Sequence, residues 1–130
     1  MTLSDALALC DPRAAWFGIQ KALPEADKAA LQGAVQLRVF DDEIVDFEDT
    51  AALVAEMDLI ISVDTSLAHL AGNMGRACWV MLPFNPDWRW LMGREDTPWY
   101  PNLRLFRQES PGDWAGVIAA VRAALAERFP

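Results

Sequence analysis

Apolar and polar positions change period several times along the chain, and each change predicts an element. Ala15 to Gln20 (AWFGIQ) is an apolar run between Pro12 and Pro24, long enough for a buried strand. Pro24 suits the first turn of a short helix, Glu25 to Leu31, whose acids lie near its positive end. Val35, Leu37 and Val39 alternate with Gln36 and Arg38, the pattern of a half-buried strand. Asp49 or Thr50 is expected to cap a helix that runs to about Met57 and places Leu53, Val54 and Met57 on one face. Leu59 to Val63 (LIISV) is a β-branched strand, Ser66 to Met74 a helix stopped by Gly75, and Cys78 to Leu82 (CWVML) a buried strand ended by Pro83. A polar and aromatic loop follows from Phe84 to Asn102, then a short strand, Leu103 to Phe106. Asp113 caps the last helix, on which Trp114, Val117, Ile118, Val121 and Leu125 form one stripe.

Strands alternating with helices through short connections predict an α/β fold: an open parallel sheet with helices on both faces. The chain opens on a helix, Leu3 to Cys10, where such a fold ordinarily opens on a strand, so the first strand of the fold is expected to be missing. The 130 residues suffice for one domain with one core. No repeat, linker or low-complexity tract divides them.

Composition narrows the classes of function. Eleven basic against 19 acidic residues give a net charge of −8, the wrong sign for a nucleic-acid binder. Cys10 and Cys78 match no metal-ligand spacing and are too few for a disulfide framework. With no leader-like N-terminus and no apolar run of membrane-spanning length, a cytoplasmic protein is expected. The run Asp41 to Asp49 (DDEIVDFED) holds six carboxylates in nine residues and is expected to be a solvated connection rather than a metal site.

In open α/β folds ligands bind outside the carboxyl ends of the strands. The most informative such place is Asp64, Thr65 and Ser66, where a strand ends and a helix opens, with His69 one turn in. Unpaired N–H groups at a helix N-terminus favour phosphate, and two hydroxyls and an imidazole add donors. Helix capping by Thr65 and Ser66, with His69 packed against a strand, accounts for the same residues without a ligand.

The run DLIISVDTSLAHLAGNMGRACWVMLPF (Asp58 to Phe84) resembles the C-terminal nucleotide-sugar-binding domain of GT-B glycosyltransferases. It is most similar to heptosyltransferases and to the glycosyltransferase-like domains found behind bacterial tetratricopeptide repeats. The run PDWRWLMGREDTPWYPNLRLFRQ (Pro86 to Gln108) resembles the second group, and Phe17 to Lys21 (FGIQK) resembles that family's S-L-Q-K-G. Ser66 stands where heptosyltransferases commonly have Gly, but matches the repeat-associated group.

The resemblance implies a donor site. Asp64, Thr65 and Ser66 would lie under the diphosphate and its sugar, His69 would contact the phosphate side, and Gln20 and Lys21 would lie near the ribose or base. In the aromatic loop, Trp90 and Trp99 are expected to anchor the chain, and Trp88 and Arg89 to face a ligand. No metal or cofactor is implied. The ligand would be a nucleotide sugar or a nucleoside diphosphate, and the role of the site electrostatic stabilisation of the departing diphosphate. The acceptor-binding domain of such an enzyme has no counterpart in the sequence, so activity in isolation is not expected. The protein partner would be a separately encoded N-terminal half or a second copy in a homodimer. The alternative is a non-catalytic remnant that binds nucleotide or protein. A hydrolase using Ser66 and His69 is disfavoured by the absence of a G-x-S-x-G elbow.

Overall fold

The structure, a computed structural model, describes residues 1–33 and 36–130. Its elements follow one another as α1 (Leu3–Leu7), β1 (Trp16–Gly18), α2 (Glu25–Leu31), β2 (Leu37–Val39), α3 (Phe47–Glu56), β3 (Ile60–Val63), α4 (Ser66–Asn73), β4 (Cys78–Leu82), β5 (Leu103–Arg107) and α5 (Trp114–Arg128). A short 3-10 turn, Trp88–Trp90, interrupts the aromatic loop. All pairings are parallel, so the fold is an open parallel α/β arrangement, as the alternation predicts. Val35, assigned to the second strand from its pattern, lies outside the described residues.

The sheet differs from the expectation in being two ladders. β1 pairs with β2, and β4 pairs with β3 on one side and β5 on the other. β4 is the centre of the fold: all five of its residues are buried. Cys78, Val80 and Leu82 point to one layer, with Val54 of α3 and Ala68 and Ala71 of α4. Trp79 and Met81 point to the other, with Leu9, just after α1, and with Val117, Ile118, Val121 and Leu125 of α5. Burying each large apolar side chain contributes about 1.5–3 kcal/mol, which is why this strand reads as an unbroken apolar run. β1 joins the same two layers, since Ile19 beyond its end packs on the first core and Trp16 on the second.

The start of α3 and the end of α1 differ from the reading of the sequence. α3 begins earlier than a cap at Asp49 or Thr50 allows, because Asp46 is the N-cap. Its carboxylate accepts from the N–H groups of Glu48 and Asp49, and Asp49 returns the bond to the Asp46 N–H. The acidic run is therefore partly structural, and Asp41 within it also holds Lys28 at 3.3 Å. α1 starts on a similar capping box between Thr2 and Asp5 but ends at Leu7, short of Cys10. Gly75 follows α4 with φ of 68°, the left-handed conformation expected at its end.

Burial pushes the Cys78 thiol up to about 12, whereas Cys10 is only half-buried. Thiolate is the reactive form. Iodoacetamide at pH 8 is expected to label Cys10 alone in the native protein and both cysteines in guanidinium. Two labels on the native protein, counted by mass, would show that the centre of the sheet is open.

Candidate functional site

The carboxyl ends of β3, β4 and β5 share one rim of the parallel sheet, and Gln20 and Lys21, beyond the end of β1, line a groove with Thr65 and Ser66. Asp64 and Thr65 connect β3 directly to α4, so that Ser66 is the first residue of that helix. Thr65 occupies the N-cap position with extended backbone, φ −144° and ψ 172°, yet its side chain caps nothing. Its hydroxyl turns back instead, 3.0 Å from the Oγ of buried Ser62 and 3.4 Å from the Val63 carbonyl oxygen. Thr65 therefore does not cap α4 through its side chain, and its hydroxyl serves the turn at the end of β3 instead. Among the described residues no side chain accepts from the first amides of α4, which lie at the positive end of the helix dipole.

His69 is held on three sides. Its Nδ1 is 3.1 Å from the Tyr100 hydroxyl, and its ring stacks on Trp90 with centroids 5.3 Å apart and planes 27° apart. Tyr100 meets the same ring edge-on at 5.8 Å. Nε2 lies 3.6 Å from Asp64 Oδ1, close enough for attraction but longer than a hydrogen bond. Nε2 is thus the nitrogen left to bond a ligand, while Nδ1 and the ring faces fix its direction.

Sequence pattern alone does not connect Trp90 and Tyr100 with His69. Trp90 is 1% exposed and fills the core beneath the loop, which agrees with an anchoring role. Arg107, at the end of β5, donates to the carbonyls of Trp90 and Arg94 and so fastens the loop to the rim. The local signal for Tyr100 is Gly72, an interior helix glycine three residues after His69. A Cβ built on Gly72 would lie 2.5 Å from the Tyr100 ring. Glycine is disfavoured inside helices, and one placed there marks a close approach.

The remaining candidates divide into two groups. Gln20 and Lys21 line a groove together with Thr65 and Ser66. Lys21 is tied down, its Nζ donating to the Val45 carbonyl at 2.6 Å, and Ala22 after it adopts a left-handed φ of 58°. Trp88 and Arg89 face outward from the 3-10 turn, whereas Trp90 faces inward. Trp88 is 71% exposed, and the Arg89 guanidinium lies 5.2 Å from its ring and 3.0 Å from Asp87. Trp99 is largely exposed, so its ring does not enter the core as expected of an anchor. It ties the loop through its indole N–H, which donates to the Arg89 carbonyl at 2.9 Å. Among the described residues, no three His, Cys, Asp or Glu side chains converge as a metal site. Nor is any helix among them long and apolar enough to cross a membrane.

No family model matches the chain, and no solved structure matches it. Over 80 residues it is 39% identical to Protein FlbA of Caulobacter vibrioides, an alignment covering 62% of this chain and 13% of that protein. The chain thus spans a small part of its relative's length, and the likeness carries no activity over to it.

Proposed function

We propose that this chain binds the diphosphate of a nucleotide sugar and represents the donor-side half of a GT-B-type glycosyltransferase. The observation that carries the reading is the uncapped N-terminus of α4 at the end of β3, with His69 Nε2 beside it. The amides at Ser66 and Leu67 and the Ser66 hydroxyl are the natural donors to a phosphate. Asp64 is a carboxylate and donates nothing. Its part is to face His69, which then offers a proton to the phosphate oxygen. Gln20 and Lys21 line the same groove as Ser66 and suit the nucleoside end, and Trp88 with Arg89 supplies an exposed aromatic and cationic rim.

In sugar transfer these donors act on the charge that develops as the diphosphate departs, a contribution that depends on their fixed direction. The acceptor and the base that deprotonates it belong to a second domain. This chain alone binds nucleotide without transferring sugar.

Ser66 is the first residue of α4, and Thr65 before it is extended, so proline fits at position 66 without disturbing the helix. Ser66→Pro removes one amide donor and one hydroxyl, and His69→Ala removes the imidazole. Thermal shift with UDP, ADP, GDP and CDP is expected to show stabilisation of the wild type by at least one of them. Loss of a charge-assisted hydrogen bond costs about 1.5–3 kcal/mol, so each variant should bind about tenfold or more weakly. Equal shifts in wild type and both variants, or none with any base, would refute the assignment.

A further inference from the structure

We infer that His69 meets the diphosphate as an imidazolium, so that binding takes up a proton at this ring. The inference rests on the nucleotide reading and adds to it the charge state in which the site works. Among the described residues, Asp64, Tyr100 and Trp90 meet the ring, and each accommodates a cation. The Asp64 carboxylate faces Nε2 at 3.6 Å, the Tyr100 oxygen lies 3.1 Å from Nδ1, and the Trp90 indole stacks on one face with centroids 5.3 Å apart. A carboxylate and an aromatic face both attract positive charge. A hydroxyl rotates to suit its partner, so Tyr100 donates to Nδ1 of a neutral ring and accepts from Nδ1–H of a protonated one. The ring therefore gains a proton without having to move.

The charges around the ring decide between its two forms. Asp64 places a negative charge beside the position of the phosphate, and its one ion-pair partner among the described residues is His69. The cations of the region are engaged elsewhere: Lys21 with the Val45 carbonyl, Arg89 with Asp87, and Arg107 with the carbonyls of Trp90 and Arg94. From α4 itself, Asn73 bonds to His69 at its main-chain carbonyl and not at the ring. A neutral imidazole between carboxylate and phosphate supplies an N–H but no charge, and leaves two anions to repel each other at short range. A protonated ring supplies both, and its Nε2–H is then shared between Asp64 and a phosphate oxygen.

The direction of the pH dependence follows. Bound diphosphate holds on the ring a proton that the ligand-free ring gives up more readily. Affinity is therefore highest at low pH and declines as pH rises through the range in which imidazoles titrate. Asp64 acts on the ring in the same sense as the ligand, so Asp64→Asn should move the decline to lower pH.

The sequence holds one histidine, so the imidazole C–H signals in a proton NMR spectrum of the untagged chain report His69 alone. The probes are UDP, ADP, GDP and CDP, of which the test uses those that raise the melting temperature. At saturation the midpoint of the histidine titration should rise by about one pH unit or more. The terminal phosphate of the probe itself titrates at about pH 6. That effect is common to the wild type and His69→Gln, whose amide replaces the Nε2–H donor without its charge. The affinity ratio of wild type to His69→Gln should therefore fall about fivefold or more between pH 6 and pH 8. An unmoved or lowered midpoint at saturation, or a ratio constant with pH, would overturn the inference and leave nucleotide binding standing. A chain that none of the four probes stabilises would refute the nucleotide reading, and the inference with it.

Discussion

Replacing Trp90 with alanine is expected to destabilise the protein by about 3–5 kcal/mol, the usual cost of truncating a buried tryptophan. Trp90 packs with Val54, Ala68 and Leu105 and at the same time forms the floor under the His69 ring. A domain of this kind has a total stability of about 5–15 kcal/mol, so the variant should be marginal at room temperature. Trp90 Nε1 has no hydrogen-bond partner among the described residues. Exchange for phenylalanine therefore forfeits packing volume without losing a hydrogen bond, and should recover a large part of the stability. Urea midpoints of the two variants give the comparison. Equal losses would mean that the site depends on the indole itself rather than on filled volume.

Gly72→Ala is the second large effect, and its origin is the opposite one. Alanine ordinarily stabilises a helix interior relative to glycine by about 1 kcal/mol. Here the added methyl meets the Tyr100 ring at 2.5–2.9 Å, far inside van der Waals contact. Overpacking of this type costs about 1–3 kcal/mol, and the ring must swing away to relieve it. Its hydroxyl then leaves His69 Nδ1, 3.1 Å away in the native arrangement. The expected result is a lower melting temperature together with weaker binding of nucleoside diphosphate. Adding Tyr100→Ala to Gly72→Ala should restore part of the stability but not the binding. A single variant as stable as the wild type would show that helix propensity outweighs the contact.

Much of the architecture is legible in the sequence because the signals for it are local. β3 and β4 carry apolar side chains to both faces, and a continuous run such as CWVML, ended by a proline, fits little besides a buried strand. The stripe on α5 and the junction Asp64-Thr65-Ser66 are legible for the same reason. The division of the sheet into two ladders is not, since AWFGIQ reads identically whether or not it pairs on both edges. Among several adjacent acids, local pattern does not rank Asp46 above Asp49 as the cap of α3. Only their reciprocal hydrogen bonds do so. The direction of Thr65 depends on Ser62, and that of His69 on Trp90 and Tyr100, none of which periodicity connects.

That last dependence bears on how the protein comes to possess its site. Tyr100 lies 31 residues beyond His69, and the intervening chain includes β4 and the loop that Arg107 fastens to the rim. Helical turns form in less than a microsecond, whereas contacts across such a span wait for β4 and β5 to pair. α4 therefore forms early with a loose imidazole, and a ring of fixed direction is among the last features to be acquired. A newly made or partly unfolded chain has the motif in full but not the arrangement that uses it. Under the proposed function, nucleotide binding would for that reason be a measure of completed folding, and it should fade on heating before helical content does.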